Sequence, residues 1–266
     1  MHRKYCLLAL LTLSFLNVIG QRPMSKKFID SKLDSIKNEA DIIYNHVMIL
    51  RLTKQKFEST TIDNKNVVIT GVDTIKVSVL NDENAKIYEA NYLNQNPLLF
   101  LNEKTSTTKL NDGERLFFLL KQKIINQIKQ PEYGINDFSQ NNIQYVLFPC
   151  KEGLKFYIFS DYRINDTIVF GRNFLFYCDV LGTIKSHKEF HLKQLKIPVN
   201  NHLGNQRDGF IIKYTNENPF ILASDIATFR LKNRPKKLYK FGVFSDRNKV
   251  HMNYDAIENK ISIGNF

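Results

Sequence analysis

Residues 143–160 read IQYVLFPCKEGLKFYIFS, and NFLFYCDVLGTIKSHKEFH follows at 173–191. Both stretches carry apolar and aromatic residues at a period of two, the mark of strands rather than helices. In the first, Pro149-Cys150-Lys151-Glu152-Gly153 interrupts two apolar runs, so the runs fold back on each other. In the second, Asp179 is placed to brace a turn and Gly182 suits a left-handed position, which predicts another hairpin. TIVF at 167–170 is a short strand after a polar turn at 161–166. Hairpins imply antiparallel pairing, because parallel strands need a long crossover.

The pattern continues toward the C-terminus. Residues 209–215 form an apolar strand, a short helix spans about 223–232, and Pro235 stops it. LYKFGVFS, VHMNY and KISI are strands, with turns at 246–248 and 255–259. Upstream, Asn111 is placed to cap a helix whose Glu114 reaches back. Leu116, Leu120, Ile124 and Ile128 repeat at four-residue steps, widened by Phe117 and Ile125, and Pro131 ends the helix. Residues 65–80 are rich in Val, Ile and Thr, with a turn at Gly71-Val72-Asp73. Residues 81–110 are polar and weakly patterned, and read as loops around short elements at a seam between subdomains. The fold class is therefore α/β in the α+β sense: a mixed, largely antiparallel sheet with few helices, preceded by an N-terminal helix and strand region. The expected division is a leader at 1–20, a helix and strand region at 21–110 and an α/β domain at 111–266.

A helix over about 25–50 opens the chain after the leader. Ile29, Leu33, Ile36, Ala40, Ile43, Val47 and Leu50 step by four and three, a heptad seam. Two readings follow: a homodimeric coiled coil through residues 29–50, making the protein a helical adaptor, or an amphipathic helix lying on its own domain. Ala40 at a seam position favours the second.

The chain has 266 residues, a formal charge of +12 and 43% hydrophobic residues, enough to bury a real core. Arg3 and Lys4 precede a fifteen-residue apolar run from Cys6 to Gly20, and Val18 and Gly20 suit a cut before Gln21. That order is a secretory signal peptide, and the run is short for a membrane span of about 20 residues. The mature chain is expected to be soluble, with no transmembrane segment, in the periplasm or outside the cell. Its wealth of Asn, Lys and Ile resembles exported proteins from AT-rich bacterial genomes. Cys150 and Cys178 remain after cleavage, and either pair in an oxidising compartment or stay buried thiols in neighbouring strands.

No Walker, dinucleotide-binding, serine-hydrolase, C-x-x-C or H-E-x-x-H signature occurs. His187 and His191 in SHKEFH share a face of a strand but lie about 13 Å apart, too far for one ion. They read as surface or strand-end histidines. Arg230, Lys232, Arg234, Lys236, Lys237 and Lys240 form a strip without an acid, interleaved with Phe229, Tyr239 and Phe241. Such a strip suits a polyanion. For an exported protein the polyanions within reach are headgroups and cell-wall polymers, not nucleic acid.

The helix from Asn111 leads into PEYGI, which offers Glu132 and Gly134, and the strand at 209–215 leads into NENPFILASDIATF. Asp225 then opens a helix. This order resembles JAMM-type zinc isopeptidases, in which two His and an Asp hold zinc, a Glu is the general base and a Ser steadies the oxyanion. Carried over, the two His fall at Ile212 and Tyr214 and the Ser at Leu222, so of the motif's His, His, Ser and Asp positions three have lost their chemistry. The resemblance implies a degenerate member over residues 111–266 that keeps the scaffold without metal or cofactor. The expected function is an exported, non-catalytic binding or interaction protein of the bacterial envelope, with a polyanion or a protein as partner. The alternative is an envelope metallohydrolase whose atypical site draws on Glu132, His202, Asp208 and Asp225.

Overall fold

Helix α1 (Lys26–Phe57) is the element around which the chain is assembled. The computed structural model describes residues 25–57, 65–135, 143–160, 167–171, 173–191, 194–198, 210–214, 220–232, 238–245 and 250–264. Seam residues Leu33, Ile36, Ala40, Ile43 and Val47 are buried against later strands of the same chain, and Leu50 against the strands that follow the helix. The amphipathic-helix reading therefore holds. The homodimer through residues 29–50 does not, because the chain itself covers the seam. Residues 43–50 are buried all round, which is why the helix runs past the expected end into a polar last turn.

After α1 comes a four-stranded antiparallel meander: β1 (Asn66–Thr70), β2 (Thr74–Leu80), β3 (Lys86–Leu93) and β4 (Asn96–Thr108). The last two replace the loops expected over 81–110. β3 buries Tyr88, Ala90 and Tyr92 and turns Glu89 and Asn91 outward, a true period of two with small or polar partners. β4 is an edge strand whose Leu98, Leu99, Phe100 and Leu101 are each about half exposed.

Helix α2 (Asp112–Ile128) starts at the expected capping box, in which Asn111 accepts from the Glu114 N–H and Glu114 accepts from the Asn111 N–H. Its buried stripe is Glu114, Phe118, Lys121, Ile125 and Ile128, with Ile124 beside it. Leu116 is 59% exposed, so the stripe expected through Leu116 and Leu120 is rotated. The cause is a second neighbour: Phe118 packs on Val67 and Leu80 of the first meander, while the C-terminal turns pack on the next sheet.

That sheet pairs β5 (Ile143–Cys150), β6 (Gly153–Ser160), β8 (Asn173–Cys178) and β9 (Ile184–Phe190) in antiparallel order β5-β6-β8-β9. The short β7 (Thr167–Phe170) pairs with β10 (Leu195–Pro198). The two faces of the central sheet belong to different cores. Tyr145, Leu147, Phe156 and Phe176 face α2, and Val146, Phe148, Tyr157 and Leu175 face α1. Gly153 is required at the β5–β6 turn: φ is 138°, and a Cβ would stand 2.3 Å from the Cys178 carbonyl oxygen. In the β8–β9 turn, Asp179 Oδ1 accepts from the N–H of Leu181 (3.0 Å) and Thr183 (2.8 Å), and Gly182 adopts φ 75°.

Cys150 and Cys178 are free thiols. Their strands are separated by β6, two inter-strand steps or roughly 9–10 Å, beyond the ~7 Å that a bridge tolerates.

The chain closes with β11 (Phe210–Tyr214), α3 (Ala223–Lys232), β12 (Lys240–Ser245), β13 (Val250–Asp255) and β14 (Lys260–Gly264). β11 and β12 are parallel and the rest antiparallel. Among the described residues, each of the three α-helices thus precedes an antiparallel meander and packs on it. α1 also shares one core with α3, β8 and β12, so a boundary near residue 110 does not separate the cores. The residues read as a signal peptide and the 246–248 turn lie outside the described residues. Among the described residues, no helix is long and apolar enough to cross a membrane.

Candidate functional site

Asp225 sits in the first turn of α3, where its charge favours the helix dipole. It is fully buried, and its Oδ2 lies 2.7 Å from Nε2 of His191. Burial alone would lower the His191 pKa. The Asp225 charge and hydrogen bond outweigh it and hold the imidazole above its ordinary value. His191 reaches this position because β9 ends at Phe190 and His191 takes a left-handed backbone, φ 55°. The strand alternation breaks there, so His187 and His191 do not share a face. His187 stacks on Phe176 and meets Tyr133 edge-on over the α2 face, while His191 turns to α3. The pair joins residues 34 apart, and nothing in either local pattern announces it.

Glu132 lies on the opposite side of the molecule's central sheet. It is exposed on a 3₁₀ turn, Pro131–Tyr133, not in a strand, and its neighbour Tyr133 packs on Phe176. Glu132 and Asp225 therefore do not converge. His202 and Asp208 lie outside the described residues. Ile212 is buried and Leu222 half-buried, both in the apolar core beside α3. The described residues do not fit a catalytic zinc, which takes three protein ligands and an open position. Asp225 and His191 bond to each other directly, and among the described residues no group of three metal-ligating side chains forms.

The basic strip is partly dismantled by the fold. Arg230 crosses from α3 to α1, where it pairs with Asp41 and stacks 3.8 Å over the Tyr44 ring. Lys240 lies 3.8 Å from Asp255, Lys232 is half-buried, and Arg234, Lys236 and Lys237 lie outside the described residues. Arg230 now lines a polar cleft of 430 Å³ with Lys37, Asp41 and five side-chain amides: Asn38, Asn45, Asn94, Gln95 and Asn259. Burial would raise the Asp41 pKa. Hydrogen bonds from Lys37 and Asn259, with the charges of Arg230 and Lys37, prevail and lower it. Asn45 donates to the Asn94 carbonyl (2.9 Å), and Tyr254 donates to Asn259 (2.8 Å), so the walls are held by the protein. Lys37 and Arg230 against Asp41 leave one positive charge in a cleft rimmed by the exposed Asn38 and Gln95. This arrangement donates hydrogen bonds to hydroxyl or anionic groups and holds no nucleophile.

Compared with known proteins, the chain matches no family model, no curated protein and no solved structure.

Proposed function

We propose that this chain is an exported, non-catalytic binding protein of the bacterial cell envelope that engages an anionic, hydroxyl-rich envelope polymer through the Arg230 cleft. The observation that carries the reading is the cleft itself, 430 Å³ lined by amides and a half-buried Arg–Asp bridge with one excess positive charge. Side-chain amides and guanidinium groups are donors suited to saccharide hydroxyls and carboxylates. The Asp225–His191 pair supports a non-catalytic reading, since it commits the carboxylate that the resemblance assigns as a zinc ligand to a buried contact. The leader expected at residues 1–20 and the basic composition support the location.

Titration of the mature chain with polygalacturonate, against neutral dextran, tests the reading. Asn38→Glu/Gln95→Glu places two acids at the exposed mouth without touching the Arg230–Asp41 bridge. Polygalacturonate should bind, dextran should bind at least tenfold more weakly, and the double variant should lose at least tenfold. Equal binding of both polymers, or an unaltered double variant, refutes the cleft as the site.

A further inference from the structure

On the other side of α1 lies a cavity of 280 Å³ between that helix, β6, β8, β9 and the residues entering α3. Its walls divide by chemistry. Leu175, Phe190, Phe220 and Leu222 supply an apolar floor. The charged groups are Lys32, Lys155, Lys188 and Glu39. Glu39 is already engaged at both oxygens: Oε2 accepts from Lys155 at 2.5 Å, and Oε1 accepts from the Tyr157 hydroxyl. Lys155 is fixed by that bond and lies 5.8 Å over the Tyr177 ring. Lys32 and Lys188 are exposed and, among the described residues, have no carboxylate partner. Three ammonium groups face one neutralised carboxylate, so two positive charges remain over an apolar floor.

We infer that this cavity is a binding site for a small anionic amphiphile, an anionic head on a short acyl chain held between Lys32 and Lys188 with its tail on Leu175, Phe190 and Phe220. A polar ligand would leave the floor wet, and a neutral apolar one would leave both ammonium groups unanswered. The volume, 280 Å³, is just under the about 300–1,000 Å³ of ligand pockets, and admits a medium chain rather than a two-tailed lipid. The site is separate from the Arg230 cleft: their linings share no residue. It therefore stands whether or not that cleft binds a polymer. A fatty carboxylate and a monoalkyl phosphate share the required chemistry, and their headgroups distinguish the sources.

Calorimetric titration of the full mature chain with decanoate, decyl phosphate and butyrate provides the test. At least one ten-carbon ligand should bind saturably at one site per chain. Butyrate should bind at least tenfold more weakly, for want of a tail to cover the floor. Binding should weaken between low and high salt, because the lysines are exposed. In Lys32→Gln/Lys188→Gln, affinity should fall at least tenfold while the circular-dichroism spectrum and melting temperature stay those of the parent. The tighter of the two ten-carbon ligands names the head, carboxylate or phosphate. Failure of both to saturate, butyrate binding as tightly as they do, or undiminished affinity in the double variant overturns the inference.

Discussion

Removing either half of the Asp225–His191 pair should destabilise the fold, and unequally. Asp225 is fully buried and His191 is 14% exposed, with Nε2 and Oδ2 2.7 Å apart. His191→Ala removes the imidazole bonded to a buried carboxylate, a loss of about 3–5 kcal/mol for a broken buried pair. Asp225→Ala leaves an imidazole that can shed its proton, so the cost is nearer that of one charge-assisted hydrogen bond, about 1.5–3 kcal/mol. Both exceed the roughly 1 kcal/mol of a simple helix cap, which is all that the sequence position of Asp225 suggests. The pH dependence has a definite sign. The folded pKa of His191 is raised above its ordinary 6.5. Its contribution is therefore fully present below pH ~6.5 and is lost as pH rises through the folded value. Urea unfolding followed by circular dichroism at pH 5.5, 7 and 9 measures all three quantities. His191→Ala should lose more than Asp225→Ala at pH 7, and both variants should lack the decline that the parent shows above pH 6.5. A loss under about 1 kcal/mol in His191→Ala, or an unchanged pH slope, would refute the buried pair.

Phe118→Ala should cost about 3–5 kcal/mol, because Phe118 joins α2 to β1 and β2, whereas exposed Leu116→Ala should stay within about 0.5 kcal/mol by the same unfolding assay. Burial would raise the Glu114 pKa, but bonds from Lys76, the Asn111 N–H and Ser78 hold it down to about 2. Its stabilisation is thus present above pH ~4.5 and lost as pH falls toward 2, and Glu114→Gln should flatten the acid limb of the stability curve. Gly153→Ala should destabilise by more than about 1 kcal/mol in urea unfolding, since the added Cβ meets the Cys178 carbonyl and the φ is one that alanine avoids. Mass spectrometry of the exported fraction should find Gln21 at the N-terminus; a chain retaining residues 1–20 would end the export reading.

Local chemistry was readable in the sequence, and long-range geometry was not. The Asn111 capping box, the Asp179 turn and the bounds of α3 were all legible because each is set by residues within a few positions of one another. β4 is not legible in the sequence because an edge strand with one solvated side need not alternate, and its NEKTSTT end is polar throughout. The stripe on α2 was misaligned because a helix wedged between two sheets buries two faces, and a single four-residue repeat describes only one. The heptad seam of α1 was correct as a pattern. Its partner was undetermined, since a seam fits a second copy or a folded-back chain equally well. Of the site residues, Arg230 kept a place in a cleft. Its neighbour there, Asp41, lies 189 residues away, beyond any motif. His191 depended on a left-handed residue at a strand end, a feature that histidine does not advertise.

Metal content and chelator response test the central claim most directly, that Asp225, the carboxylate that a JAMM resemblance would assign to zinc, is instead a buried structural partner of His191. Purified mature protein, analysed for metals and melted with and without EDTA, should carry far less than one zinc per chain and melt at the same temperature in both buffers. Near-stoichiometric zinc together with a melting temperature lowered by EDTA would contradict it, and would show that Asp225 serves a metal after all.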